Sequence, residues 1–220
     1  MTQARDLADV AAGQTVANAT PSGGLVLIEK KTVAQGSAST TAFDFTNCFS
    51  STYDLYQVEF DITRNGSSAA KHLFASFSNA DTRLTNDAVG MSTFDQAGAT
   101  GTDGKSFYKS PDGVHQLAGT IAASGNGNYR GTARIHNTTS TTTANQISGQ
   151  LVMNQQDTSD PDSIWRETFL SVDETNDFSG TSTDILFGII EGDGNGGNIS
   201  FSGTQAPVFG TVSIFGIKGV

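Results

Sequence analysis

The chain has 220 residues, enough for one sizeable hydrophobic core or for one all-β domain with an arm. Hydrophobic residues make up 36% of it, and its 25 glycines and 14 phenylalanines favour short strands joined by turns around an aromatic core. The net charge of −10 repels phosphate backbones, which argues against a nucleic-acid partner.

Three absences narrow the class of protein further. Cys48 is the single cysteine, so no disulfide can form within the chain. The start of the sequence lacks the apolar segment of a signal peptide, and no apolar run approaches the roughly 20 residues that span a bilayer. We therefore expect a soluble protein with no membrane insertion.

Residues 1–24 are predicted to form an attachment arm and linker, helical or extended. Thr2–Ala12 carries one narrow apolar stripe and is followed by Gly13, a pattern typical of a short helix. A helix of this length is marginal alone in water, so it needs a partner in its own chain or in another subunit. The polar, Pro- and Gly-containing stretch Asn18–Gly24 places a domain boundary before residue 25.

The domain at 25–220 is predicted to begin with Leu25–Ile28, an apolar run typical of a strand covered on both faces. Phe43 and Phe45 alternate around Asp44 in the next predicted strand. The clearest strand is Tyr56–Ile62, in which apolar and polar residues alternate strictly.

An Asn-Gly turn signal follows this strand at residues 65–66. It predicts that the next strand, Leu73–Phe77, pairs with Val58–Ile62 as a hairpin. Residues 79–112 show little apolar periodicity, which indicates either a long functional loop or strands without a clear pattern.

The rest of the chain again shows strand patterns. Tyr129–His136 and Ile147–Met153 are predicted to form a hairpin with a Thr- and Ser-rich tip at Thr138–Thr143. The other predicted strands are Val114–Ala122, Ile164–Val172, Ile185–Ile190, Ile199–Phe201 and Gly210–Lys218. A total of about eight to ten strands predicts an all-β fold, an antiparallel two-sheet sandwich of jelly-roll-like type.

Two segments of this pattern resemble a known family. Tyr53–Phe60, with the sequence Tyr-Asp-Leu-Tyr-Gln-Val-Glu-Phe, resembles the first core strand of a β-sandwich domain in structural proteins of tailed bacteriophages. A late segment of the form Gly-x-(Val/Ile)-x-(Ile/Leu)-(Tyr/Phe)-Gly-Ile-Lys accompanies it there, and Gly210–Lys218 has this form. The start, Gln3–Asp9, is similar to that of many phage tail-fibre-like proteins. The middle of the chain matches by pattern alone.

The resemblance implies a non-enzymatic virion component, assembled in the host cytoplasm, that forms a homotrimer and contacts other virion proteins through its N-terminal arm. The most concrete expectation is a tail-fibre-like attachment protein that presents its loops to a partner or to a host surface glycan. One alternative is a capsid decoration protein, of head-fibre or cement type. An alternative from another class is a glycan-degrading virion enzyme, which requires a pair of carboxylates lining a cleft.

Glu191–Gly196 is the first of several segments with side chains that suit a reactive or metal site. Its oxygen-bearing residues alternate with glycines as in the first half of a calcium-binding loop. The twelfth position, where such a loop has a bidentate Glu, is Ser202, so a glycine-rich turn is the favoured interpretation.

The histidines His72, His115 and His136 are far apart in sequence, with no zinc-ligand spacing. Cys48 lies beside a predicted core strand and is interpreted as a buried, inert thiol. No Ser lies in a Gly-x-Ser-x-Gly motif.

Acidic and aromatic residues of the predicted loops offer two further possibilities. The acids are interpreted as solvated loop residues, with glycan hydrolysis as the alternative; they are Asp157, Asp160, Asp162, Asp173, Glu174, Asp177 and Asp184. Tyr108, Tyr129 and Trp165 either stack on sugar rings or are buried in the sandwich or at a subunit interface. We therefore predict no catalytic, cofactor-binding or metal-binding residues.

Overall fold

The structure is a computed structural model that describes residues 24–36, 40–64, 72–80, 82–84, 87–97, 104–110, 113–118, 127–136, 138–140, 143–155, 163–173, 181–190 and 205–218. Residues 1–23 of the predicted arm and linker, the predicted strand Ile199–Phe201 and the loop Glu191–Gly196 lie outside the described residues. Within those ranges no helix has the length and apolar character needed to cross a membrane.

The described ranges contain thirteen strands. They are β1 (Leu25–Val33), β2 (Ala42–Phe45), β3 (Leu55–Arg64), β4 (His72–Asn79), β5 (Thr82–Arg83), β6 (Ala88–Ala97), β7 (Gly104–Ser110), β8 (Val114–Gln116), β9 (Gly127–His136), β10 (Gln146–Gln155), β11 (Ser163–Asp173), β12 (Asp184–Ile190) and β13 (Val208–Ile217).

These strands form two antiparallel sheets. The large sheet has eight strands in the order β1-β13-β3-β9-β10-β11-β6-β7. The small sheet has five, in the order β2-β12-β4-β5, with β8 also paired to β4. The prediction of an all-β, antiparallel two-sheet sandwich is confirmed.

The core lies between the sheets, and β3 shows why its sequence folds as it does. Tyr56, Val58, Phe60 and Ile62 are each at most 3% exposed, whereas Glu59 on the other face is exposed. Aromatic side chains of the small sheet meet this row from the opposite side; they include Phe43, Phe45, Phe77 and Phe187. The period-two pattern therefore predicted both the strand and its buried face correctly.

Two predicted strands, Leu25–Ile28 and Leu73–Phe77, exist in the structure, but their predicted neighbours are wrong. Leu25–Ile28 belongs to β1, an edge strand paired only with β13 in the described structure, and Leu25 and Leu27 are 50% and 54% exposed. A short apolar run does not reveal whether a second sheet covers it, so the expectation of burial on both faces fails.

The predicted hairpin of β3 with β4 is also absent. β3 pairs with β13 and β9 in the large sheet, whereas β4 pairs with β12, β5 and β8 in the small sheet. The chain therefore crosses from one sheet to the other between Arg64 and His72. A turn signal identifies a reversal, but tertiary packing decides which strand becomes the partner.

The stretch 79–112 contains strands that the sequence pattern did not reveal. β6 pairs with β11 along ten residues and with β7 on its other side. Its described residues are mostly small or polar, such as Gly90, Ser92 and Thr93, so alternation of large apolar side chains is missing. In contrast, the predicted hairpin of β9 with β10 is confirmed residue by residue.

The segments that carry the family resemblance lie side by side. β3 and β13 pair along their whole length, with Tyr56 opposite Gly216. The ring of Tyr53 packs directly on Gly216, where a methyl group would collide with several ring atoms. A glycine is therefore required at 216 because a neighbouring aromatic ring occupies the space of its missing side chain.

We expect Phe60→Ala to lower the free energy of unfolding by about 3–5 kcal/mol, because it removes a fully buried ring. Glu59→Ala, on the exposed face of the same strand, is expected to change it by no more than about 0.5 kcal/mol. Urea titration of both variants measures the difference. Equal losses would contradict the assigned register of β3.

Gly216→Ala is expected to destabilise the protein by about 1–3 kcal/mol, because the new methyl group overlaps the ring of Tyr53. The matched background is Tyr53→Ala, in which the same glycine substitution should cost much less. A double-mutant cycle from thermal unfolding gives the coupling. Additive losses would show that the ring does not constrain position 216.

Candidate functional site

The outer face of the large sheet is polar along β3, β9 and β10. Along β3 the outward residues are Gln57, Glu59 and Asp61, which lie in register with Arg134, Thr132 and Arg130 of β9. The outward residues of β9 are followed by those of β10, where Ser148 lies opposite Arg134 and Gln150 lies opposite Thr132. The alternation that buries the apolar row of β3 therefore also assembles this polar face.

A depression of about 660 Å³ lies over β3, β9, β10 and β11 on this face. Among the described residues that line it, Arg134 is the only charged one. The lining consists of Gln57, Thr132, Ala133, Arg134, Gln146, Ser148, Gly149, Gln150, Thr168, Phe169 and Leu170. We call this the Arg134 depression.

A smaller depression of about 390 Å³ adjoins the first and shares Thr132 with it. It contains two carboxylates and two cations, in contrast to the Arg134 depression. Its lining consists of Lys30, Glu59, Phe60, Asp61, Arg130, Gly131, Thr132, Thr211 and Ser213. We call this the Asp61 depression.

Arg130 is held by an acidic neighbour across the strands. Its Nη2 and Nε donate to Asp61 Oδ2 at 2.6 and 3.0 Å. Asn128 Nδ2 donates to the other oxygen, Asp61 Oδ1, at 2.6 Å. These bonds orient the guanidinium on the open surface, where an ion pair contributes little to stability.

Arg134 has a different environment from Arg130. Its cross-strand neighbours, Gln57 and Ser148, are neutral, and no carboxylate of the described residues lies within ion-pair distance of it. Burial, and then the positive charge of Arg134, lower the pKa of His136 on the same strand face. His136 is therefore neutral near pH 7, and Arg134 supplies the positive charge of this region.

A buried polar network joins the two sheets away from both depressions. His115 of β8 has its Nδ1 2.8 Å from Ser171 Oγ and its Nε2 3.0 Å from Asp173 Oδ1, both on β11. The Nδ2 of Asn145 donates to Asp173 Oδ2 and to Ser182 Oγ, at 2.9 Å in each case. Each of these five residues is at most 2% exposed.

The network contains the Ser, His and Asp of a hydrolase triad, but it does not form a catalytic site. Neither depression includes any of its members, so a substrate in those depressions does not contact Ser171. A triad needs its nucleophile exposed to the substrate. The network instead connects β8 of the small sheet with β11 of the large sheet, through the His115–Ser171 hydrogen bond and the close contact of His115 with Asp173.

A second buried polar group lies on the inner face of the large sheet. Arg64, Tyr129 and Glu167 are each at most 1% exposed. Burial raises the pKa of Tyr129 well above its usual value, as does the charge of Glu167, while the charge of Arg64 acts in the opposite direction. The phenol therefore stays protonated, and the three side chains form part of the core.

Sequence reasoning missed Arg64 and Glu167, although a signal for each was present. Arg64 continues the buried parity of β3 that starts at Tyr56, and Glu167 has the same parity as buried Phe169. Neither residue was singled out in the sequence, because charged side chains are seldom buried.

The structure describes all three histidines and the single cysteine. His72 and His115 lie in the small sheet and His136 lies in the large sheet. No group of three or more metal-ligating side chains occurs in the described part of the chain. Cys48 is buried as predicted, and burial followed by the charge of Asp184 raises its pKa to about 12, which keeps the thiol protonated and inert.

The interpretation of solvated loop acids is wrong for Asp173 and Asp184. Both are strand residues at most 2% exposed, and Asp184 Oδ1 accepts a hydrogen bond from the Asn47 backbone N–H at 2.6 Å. They are buried because polar partners in the fold satisfy their oxygens. The other acids lie outside the described residues; they are Asp157, Asp160, Asp162, Glu174 and Asp177.

The aromatic residues considered for sugar stacking are not on the described surface. Tyr129 is fully buried, so of the two interpretations burial is correct for it. Tyr108 and Trp165 belong to β7 and β11, and their side chains lie outside the described part of the structure.

Comparisons with known proteins give no family assignment. No family model matches the sequence, and no curated protein matches it. A solved structure of scytalido-glutamic peptidase with a transition state analog inhibitor is similar over 79% of this chain and 74% of that chain, at 15% identity and a TM-score of 0.27. A similarity of this size supports no inference about the present chain.

We expect Asp173→Ala to lower the free energy of unfolding by at least about 2 kcal/mol, because it removes the buried carboxylate that contacts both His115 Nε2 and Asn145 Nδ2. Arg166→Ala on the exposed face of the same strand is the control and should cost much less. Denaturant titration measures both. A loss at Asp173 no larger than that at Arg166 would show that the network does not stabilise the core.

Proposed function

We propose that this protein is a bacteriophage virion structural component, a tail-fibre-like attachment protein anchored by its N-terminal arm and assembled as a homotrimer. In this proposal the sandwich presents the outer face of its large sheet to a partner or to a host surface glycan. The protein is a binding component and not an enzyme.

The observation that carries the proposal is the pairing of β3 with β13. The resemblance to phage structural proteins rests on Tyr53–Phe60 and Gly210–Lys218, which are far apart in sequence. These segments pair in register, and Tyr53 of the first packs on Gly216 of the second. Their contact supports treating the two motifs as one structural unit, and hence supports the resemblance as a whole.

Two surface features support the binding role and the association of subunits. The outer face of the large sheet is polar and contains two open depressions, whereas the buried Ser171 is inaccessible to substrate. Exposed apolar side chains lie at both edges of the same sheet, namely Leu25 and Leu27 on β1 and Phe107 on β7. Exposed apolar edges favour contact with another chain.

The test of virion assembly removes Met1–Ser22. We expect the truncated protein to keep its thermal midpoint within roughly 2–4 °C of the full chain and to be absent from purified particles, as judged by mass spectrometry. Glu59→Ala in the full chain is the control and should be incorporated normally. The proposal is wrong if the full-length protein is absent from particles, and the role of the arm is wrong if the truncated protein is still incorporated.

A capsid decoration protein remains the structural alternative, and imaging of labelled protein on intact particles separates head from tail. The enzymatic alternative is favoured by one observation, that Glu59 and Asp61 line the same depression. Incubation with host polysaccharide should release new reducing ends if these carboxylates hydrolyse glycans, and Glu59→Gln should abolish the release. We expect no release, because Asp61 is already bound by Arg130 and Asn128.

A further inference from the structure

We propose that the Arg134 depression binds an acidic saccharide, whose carboxylate is held by the guanidinium of Arg134 and whose hydroxyl groups bond to the neutral polar side chains around it. This inference rests on the proposed function, because it names the ligand class of the same outer face.

Charge is the first argument. The whole chain has 22 acidic and 12 basic residues, yet the described lining of this depression contains one arginine and no acid. A guanidinium presents planar, paired donors that match the two oxygens of a carboxylate. The local charge therefore favours an anionic group on an otherwise acidic protein.

The contrast between two arginines of β9 is the second argument. Arg130 already donates two hydrogen bonds to Asp61. Arg134 faces Gln57 and Ser148 across its neighbouring strands, and neither side chain is an anion. An incoming carboxylate therefore competes with no described ion pair at Arg134, whereas at Arg130 it would have to displace one.

The neutral residues around Arg134 are the third argument. Hydroxyl and carboxamide groups both donate and accept hydrogen bonds, as sugar hydroxyls do. Six such side chains line the depression: Gln57, Thr132, Gln146, Ser148, Gln150 and Thr168. They belong to four adjacent strands, so the sheet backbone fixes their relative positions.

Other classes of partner fit this surface less well. A nucleic acid requires several cations along its backbone, and this depression provides one. A protein partner favours an apolar centre, but the most exposed apolar side chains, Phe107 and Leu27, lie on the edge strands β7 and β1. The polar composition around a single cation favours a hydroxylated, singly charged group at this position.

The experiment uses the full chain and pairs of oligosaccharides that differ only in the carboxylate. One member contains a uronic acid, and the other is the same oligosaccharide with that carboxyl group reduced to an alcohol. We expect the acid to bind and its reduced counterpart to bind at least about tenfold more weakly, because a charge-assisted bond is lost. Titration calorimetry measures both affinities, after a glycan array has selected the oligosaccharide.

Arg134→Gln should weaken binding of the acid by a similar factor and leave binding of the reduced oligosaccharide unchanged. Arg166→Gln is the matched control, because Arg166 is exposed on β11 of the same face but does not line the depression. It makes the same charge change and should leave both affinities unaltered. Circular dichroism confirms that each variant keeps the β fold.

Several results would overturn the inference. These are equal affinity for the acid and its reduced form, equal losses in the Arg134 and Arg166 variants, or binding restricted to sulfated oligosaccharides. Absence of saccharide binding, together with a changed oligomeric state in Arg134→Gln, would identify the face as a subunit interface. If the protein is incorporated into particles but binds no saccharide, only this inference fails; if it binds the acid but is absent from particles, the virion role fails.

Discussion

The alternation of side chains along β3 is the constraint on which the rest of the structure depends. Because successive residues of a strand point to opposite faces, the row from Tyr56 to Ile62 enters the core while Gln57, Glu59 and Asp61 form the outer surface. β3 lies between β13 and β9, so its register places both neighbours. A shift by one residue would expose the aromatic row and bury the acids, and would remove the core and the outer depressions together.

Polar residues inside the sandwich restrict how the two sheets pack. Apolar packing alone tolerates sliding, whereas His115 contacts both Ser171 and Asp173 on the opposite sheet and Asn145 connects Asp173 to Ser182. Each contact has a required distance, and a displaced sheet would leave buried polar atoms without partners. The network thus makes one relative position of the sheets more favourable than its alternatives. Its burial also keeps Ser171 away from both outer depressions.

The outer face carries two arginines of β9 in different electrostatic environments: Arg130 is paired with Asp61, whereas Arg134 has neutral cross-strand neighbours. The guanidinium of Arg130 donates two hydrogen bonds to the carboxylate of Asp61, so the opposite charges of this pair offset each other in the smaller depression. Arg134, four residues further along β9, has neutral cross-strand neighbours and gives the larger depression its positive charge. In the proposed binding role, the residue across the strand decides which arginine is available to a ligand, and an acid in place of Gln57 would remove the difference between Arg130 and Arg134.

The sequence by itself determined the fold class, the clearest strands and their faces, because period-two alternation is a local property of the chain; β3, β2 and the β9–β10 hairpin were predictable for this reason. In contrast, the sheet that each strand joins is not determined by the local sequence. The partner of β4, the exposure of Leu27 and the strands β6 and β7 depend on contacts between distant segments, which only the tertiary structure decided. The candidate site was hidden for the same reason. Arg134 and Gln57 looked like ordinary surface residues until strand pairing placed them side by side, and buried Arg64, Glu167 and Asp173 became recognisable only when their partners were in place.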